Sequence, residues 1–363
     1  MSFGSDNWAG MSEDVLETLR EANAGAAPAY GADPWTGRAL DLLRTFFERD
    51  VTAIFVSTGS AANALALASH HKPGGVTLCH VDAHIVRDEA GAPNLFAHGL
   101  QIDTLDGPMG RIEAGALGDR LATFPDGVVF HGRPTAVSIT NVNEIGQCYG
   151  PSEIAAIAAV AKARGAALHM DGARFLNAVA TLGVSPAALT WRAGVDVLSL
   201  GLTKTGGLAA EAVVFFDDRL REDVLFRQKQ AAQLFSKNRF AAAQFVALLS
   251  NAHGLDLARH ANAAGARIAQ ILEASPDAAP IARPAANMVF AHVTQRGLAA
   301  LDAAGIVTAP WSTRSQLTPA NPFHDGGLRR FAASFLTDDA ALTALERALA
   351  HASGPQTAGR ALA

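Results

Sequence analysis

The chain has 363 residues, 49% apolar and 17% charged, a globular composition long enough for two domains or for one large domain with a smaller one attached. Its 29 Lys and Arg against 34 Asp and Glu leave a net charge of -5 and no basic cluster, which argues against nucleic acid or membrane partners and for a small soluble substrate. The two cysteines, Cys79 and Cys148, have no CxxC or other metal-ligand spacing, so buried free thiols in a reducing compartment are expected and no metal.

The opening MSFGSDNWAG lacks the basic start and apolar core of a signal peptide. Low-charge stretches such as 240–255 are broken by Gln, Ser, Asn and His, so a cytoplasmic chain with no membrane span is expected. Residues 52–58 (TAIFVST) read as a strand and SAANALALASHH after it as a helix. GVTLCH (75–80), GVVFH (127–131) and AVSITNV (136–142) read as further strands. Pro151, Ser152 and Glu153 open a helix that Gly165 stops. AALHM (166–170), DVLSLGL (196–202) and AVVFF (212–216) are near-continuous apolar runs, the mark of a mostly parallel sheet covered on both faces. From about residue 230 the pattern is mainly helical, with ANMVFAHV and LRRFAASF as short strands of a separate α+β unit. The expected fold is therefore α/β: an N-terminal arm and large domain over 1–245, a smaller C-terminal α+β domain over 246–350, and a flexible tail over 351–363.

In such sheets ligands bind beyond the carboxyl ends of the strands. Ser57-Thr58-Gly59-Ser60 stands at one such end, His84 follows another, Asp171 ends a third and Lys204 follows a fourth. The STGSAAN turn offers unpaired backbone N–H groups and a helix dipole to an anion, with Ser60 able to cap the helix and donate a hydrogen bond. An ordinary Ser cap is the plainer reading, and GxxxxGKS/T is absent. Lys204 reads either as a snorkelling surface lysine or as a desolvated nucleophilic amine. Asp171 alone reads as a cap or as a partner for Arg174. Asp171 and Lys204 are 204 − 171 = 33 positions apart, one βαβ crossover, so they can flank one flat ligand. A Schiff-base lysine, an acid for a ring nitrogen and a phosphate loop together match pyridoxal 5'-phosphate. A Rossmann GxGxxG fingerprint is missing, and no basic appendage of a regulatory DNA-binding protein is present.

Nearly the whole chain, from FGSDNWAG to LRRFAASFLTDD, resembles the threonine aldolases of the aspartate-aminotransferase-like, fold type I pyridoxal-phosphate superfamily. HMDGARFLNA resembles the family segment H-x-DGAR-x-x-NA, and LGLTKTGGLAAEAVVFFD its cofactor-lysine strand and return strand. FVSTGSAAN is similar to the SGTxAN phosphate loop, with Ser60 in place of Thr, and HVDAHIVRDEAGAP to the segment whose histidine stacks on the cofactor ring. The resemblance implies that Lys204 carries the cofactor, Asp171 pairs with its ring nitrogen, Gly59 and Ser60 bind phosphate and His84 stacks on the ring. It further implies that Arg174 lies near the ring hydroxyl and the substrate carboxylate, which Ser5 and Arg330 grip, with Arg329 one position away. Many members carry ENTH where this chain has Asn143 in place of the histidine, which leaves the acceptor of the substrate's hydroxyl proton open. His84 is one choice and His131 another, while Glu89 supports His84 or a loop.

The implied activity is cleavage of L-threonine, L-allo-threonine or phenylserine to glycine and an aldehyde. A β-eliminating lyase, racemase or aminotransferase would use the same lysine, aspartate and phosphate site. The implied assembly is a homotetramer, a dimer of dimers with sites at the dimer interface. Arg227, Lys229, Lys237 and Arg239 then either reach a neighbour's phosphate or form a solvated face.

Overall fold

The apolar runs and the helices between them assemble two sheets. A computed structural model describes residues 1–217 and 221–352. The larger sheet holds β1 (Thr52–Val56), β2 (Gly75–His80), β3 (Gln101–Leu105), β4 (Arg133–Thr140), β5 (Ala167–Gly172), β6 (Val197–Gly201) and β7 (Glu211–Phe215). Their order is β1-β7-β6-β5-β4-β2-β3; the run from β6 to β3 is parallel, and β7 is antiparallel to both its neighbours. Every residue of β2, β6 and β7 is buried, which is why these strands read as unbroken apolar runs rather than as alternating ones.

One strand expectation is corrected and one strand was not foreseen. GVVFH forms no strand, because Val129 and Phe130 are 88% and 93% exposed in a loop between Gly127 and Gly132. The strand not foreseen is β3, QIDTL, which pairs in parallel with β2. As an edge strand it is only partly buried, so its polar residues hid it. The helix Pro151–Ala163 begins with proline in its first turn, Glu153 accepts from the Gly150 N–H at 2.8 Å, and Gly165 follows its end at φ +66°. Cys79 and Cys148 are free and buried.

The smaller sheet is antiparallel throughout, in the order β10-β11-β9-β8, from β8 (Ala278–Pro280), β9 (Met288–Val293), β10 (Ala309–Pro310) and β11 (Gly327–Ala332). The helices His253–Glu273, Gln295–Ala303 and Asp339–Ala352 supply Ile268, Leu272, Leu301, Leu345 and Leu349 to its core. The amino terminus joins this core as well. Phe3 N–H donates to Val307 O at 2.8 Å, its carbonyl accepts from Ala332 N at 2.7 Å, and the residue is 1% exposed. Burying its ring contributes about 1.5–3 kcal/mol and anchors the arm that carries the next few residues across to the large sheet. The tail expected over 351–363 lies, from residue 353 on, outside the described residues. No helix among the described residues is long and apolar enough to cross a membrane.

Candidate active site

The parallel strands end at one edge, and the chain places its chemistry there. A cavity of about 310 Å3 is lined at that edge by Gly59, His84, Glu144, Asp171 and Lys204 from the large sheet, and by Arg330 from the small one. Ser5 and Arg174 also line it. Asp171 is the penultimate residue of β5 and pairs in register with Ser199 of β6, and Lys204 follows β6 in the short 3-10 turn Thr203–Thr205. Gly206 closes that turn at φ +114°, a conformation that side-chain-bearing residues rarely adopt.

Asp171 is 4% exposed, accepts from Asn63 Nδ2 at 2.8 Å and from the Ala173 N–H at 3.0 Å. Burial raises its pKa, but the His84 charge, those hydrogen bonds and Lys204 outweigh it and hold the carboxyl below its usual range. Lys204 is lowered, first by burial and then by the Arg174 charge, against Asp6, Asp171 and Glu211. The edge therefore joins an ionised carboxylate to an amine biased toward its neutral, nucleophilic form.

His84 Nδ1 lies 2.8 Å from Glu89 Oε1, which also accepts from Asn63 at 2.7 Å. The Glu89 hydrogen bond raises the His84 pKa more than burial lowers it. The ligand atoms of His84, Glu89 and Asp171 all lie within 4.8 Å of one another, with the Asn63 amide joining the two carboxylates.

Two readings change and two positions left open are placed. Ser60 does not cap its helix: Thr58 does, its Oγ1 accepting from the Ala61 N–H at 3.1 Å, so Ser60 sits one position inside Gly59–His70. Arg174 does not pair with Asp171. Its Nε and Nη2 meet Asp6 at 2.6 and 2.8 Å, because the anchored arm brings that aspartate beneath the DGAR turn. His131 lies away from the site, in a separate cavity of about 980 Å3 at the amino end of the sheet with His71, Lys72, Arg133 and Arg164. Asn143 lines the active cavity but has its amide engaged elsewhere, donating to Met109 O at 2.9 Å and accepting within its own turn from Ile145 N at 3.2 Å and Gln147 N at 2.9 Å.

The small sheet sends the two adjacent arginines to different places, since neighbours along β11 face opposite ways. Arg329 turns to Thr308, with Nε 3.1 Å from its Oγ1, whereas Arg330 lines the cavity. Arg330 donates to Gly4 O at 2.7 Å, lies 4.7 Å from the centre of the Trp311 ring, and has its pKa lowered by burial and by Arg174. Of the basic segment, Lys229 stands 5.6 Å over Tyr30 and Arg239 donates to Gly25 O at 3.2 Å.

Sequence reasoning missed Asp6, Asn63, Glu144 and Trp311. Asn63 did leave a signal: a polar residue in the otherwise apolar run AANALALA, 2% exposed, has to be hydrogen-bonded. The residues fit pyridoxal 5'-phosphate on their own chemistry. An ionised buried carboxylate suits a protonated ring nitrogen, a depressed lysine suits attack on an aldehyde carbon, and a Cβ at Gly59 would meet nothing closer than Glu211 Oε2 at 3.8 Å, so the helix start stands open.

The profile of a family described as beta-eliminating lyase matches residues 2–296. A low specificity L-threonine aldolase from Pseudomonas aeruginosa is 40% identical over 303 residues, 84% of this chain and 87% of that protein. Among solved structures, a Leishmania major threonine aldolase superposes with a TM-score of 0.88 at 24% identity, covering 96% of this chain and 98% of the other. A structure described as SPT with PLP internal aldimine does so with a TM-score of 0.70 at 18% identity, covering 97% and 87%. The fold is thus the aspartate-aminotransferase-like fold of pyridoxal-phosphate enzymes, and the chain belongs to the beta-eliminating lyase family, alongside the low-specificity L-threonine aldolases.

Proposed function

We propose that the chain is a pyridoxal 5'-phosphate-dependent aldehyde-lyase that cleaves L-threonine, L-allo-threonine or related β-hydroxy-α-amino acids such as phenylserine into glycine and an aldehyde. The carrying observation is Lys204 and Asp171, a desolvated amine and an ionised carboxylate on one cavity at adjacent strand ends. The 40% identity to an enzyme named for this reaction supports the same reading.

Lys204 would hold the cofactor covalently, Asp171 its ring nitrogen, His84 its ring face, and Gly59 with Ser60 its phosphate at the helix start. Once bound, the cofactor supplies an electron sink next to the substrate's Cα. Arg330 and Ser5 would grip the α-carboxylate, with Arg174 fixed beside them by Asp6. That grip decides which bond at Cα is weakened, and it reads the carboxylate and amine rather than the side chain. Such recognition is the reason to assay all three substrates. A cytoplasmic homotetramer goes with this reading, and light scattering of the purified protein tests the assembly.

Glycine release from L-threonine, L-allo-threonine and L-phenylserine is the direct assay. We expect release from at least one, and neither release nor the yellow cofactor absorbance in Lys204→Ala. No glycine from any of the three overturns the reading. The family description favours β-elimination as the second reading, and ammonia with 2-oxobutyrate from threonine, or with phenylpyruvate from phenylserine, in place of glycine and aldehyde would assign it.

A further inference from the structure

The cavity holds more carboxylate than the proposed cofactor roles use. Asp6 is spent on Arg174 and Asn287, Glu89 on His84 and Asn63, Glu211 accepts from Thr203 and does not line the cavity, and Asp88 is exposed. Glu144 remains. It stands four residues beyond the end of β4, half-buried, lines the cavity, and follows Asn143, whose own amide is consumed by Met109 and its turn. The His84 N–H donates to Glu144 Oε1 at 2.8 Å and the Thr140 hydroxyl donates to the same atom at 3.2 Å, so these two hydrogen bonds leave Oε2 free of them. The group is thus aimed by two donors, one of them on the backbone of the residue proposed to stack on the cofactor.

We propose, resting on the aldolase reading above, that Glu144 is the group that takes the hydroxyl proton from the substrate, with Thr140 and the His84 backbone as its positioning partners. In that step the substrate O–H bond breaks and its proton goes to the Glu144 carboxylate. The oxygen's electron pair becomes the second C–O bond of the aldehyde as Cα–Cβ breaks, and the pair from that bond is left on Cα until a proton returns there.

The surroundings support the assignment. Burial, and then the Asp171 charge, push the Glu144 carboxyl up to about 7, the range in which a general base both holds and releases a proton at neutral pH. The groups that face it are His84 from its short helix, Asp171 from β5, Cys79 from β2 and the Tyr149 phenol, with Lys204, Arg174 and Arg330 on the same cavity. His84 is the competing base, but its bond to Glu89 favours the protonated ring, which is the wrong state for accepting a proton.

The experiment compares the cofactor-loaded protein with Glu144→Gln, which keeps an oxygen for the His84 N–H, and with Glu144→Asp. We expect Glu144→Gln to lower kcat for L-threonine by about 100-fold or more with KM little changed, and to remove the limb of the pH profile near neutrality. Glu144→Asp should restore part of the rate and the limb. Exchange of the glycine Cα proton in heavy water, which involves no hydroxyl, should persist in Glu144→Gln. In the cofactor-free protein, infrared difference spectra should show a carboxylic acid C=O component titrating near neutrality that is lost in Glu144→Gln, leaving that of Glu211, which burial likewise pushes up to about 7. Retained kcat with an intact limb overturns the proposal, as does equal loss of cleavage and exchange, or a band that titrates like an exposed carboxyl. If the unmodified protein released no glycine, the aldolase reading itself would fall, and the proposal with it; the infrared titration is independent of that outcome.

Discussion

Asp6 and Arg174 form a buried two-point ion pair across 168 positions of sequence, with Nε 2.6 Å from Oδ2 and Nη2 2.8 Å from Oδ1. The pair ties the amino-terminal arm to the DGAR turn, and Asn287 adds a third donor at 3.0 Å from the small sheet's side. One carboxylate thereby fastens three separate stretches of chain at the wall of the active cavity.

Removing that carboxylate leaves a buried guanidinium without its counter-charge. Breaking a buried pair from one side costs about 3–5 kcal/mol, far more than the pair's net contribution. Asp6→Ala should therefore lower the urea midpoint strongly, and Asp6→Asn less, since it keeps an acceptor for Arg174. Equal midpoints for Asp6→Ala and the unmodified protein would rule out this role.

The same pair sets an acid limit. Burial raises the Asp6 pKa, but the Arg174 charge and hydrogen bonds, with Lys204 and Asn287, bring it from 3.8 down to about 2. A carboxyl lowered on folding stabilises the folded state at every pH above its unfolded value. That contribution, ~2 kcal/mol for a shift of this size, is lost as pH falls from about 4 through about 2. Stability measured by denaturant at successive pH values should fall over that window, and the fall should be shallower in Asp6→Asn.

Asp171 separates shape from charge. Its oxygens are placed by the Asn63 amide and the Ala173 N–H, and an asparagine side chain keeps one acceptor for those donors. Asp171→Asn should stay folded and still take up the cofactor, while glycine release drops by about 100-fold or more, as expected when a group opposing developing charge is neutralised. Turnover within a few-fold of the unmodified protein would show that no charged partner for the ring nitrogen is needed at this position.

Much of this arrangement is legible in the order of the residues. Central strands are buried on both faces, so β2, β5, β6 and the antiparallel β7 announce themselves as apolar runs, and a charged residue just beyond such a run stands out, as Asp171 and Lys204 do. The edge strand β3 carries no such mark, being mostly polar and only partly buried, while the apolar Val129 and Phe130 lie in an exposed loop that mimics a strand. Partners distant in sequence are equally hard to read. Nothing local to Asp6 says that it will meet Arg174, because the meeting depends on Phe3 docking in the small core. Ser60 passes for a cap because Thr58, Gly59 and Ser60 all suit a helix start, and only the backbone angle of Thr58, extended at φ -146°, decides among them.

The adjacent arginines of β11 give the sharpest contrast, because strand geometry alone sends them to opposite faces. Arg330 reaches the cavity under Trp311, whereas Arg329 is held by Thr308 at Nε and by the same residue's carbonyl at Nη2, 3.4 Å away. A guanidinium grips a carboxylate through two parallel N–H donors and stacks on an aromatic face, and a lysine amine reproduces neither. Arg330→Lys should therefore raise KM for L-threonine by about 10-fold or more, the loss of ~1.4 kcal/mol of binding. Arg329→Lys, changed in the same way one position earlier, should leave KM within about twofold. Steady-state kinetics on the two variants decide the matter: equal KM values, or the larger rise in Arg329→Lys, would remove Arg330 from the carboxylate site.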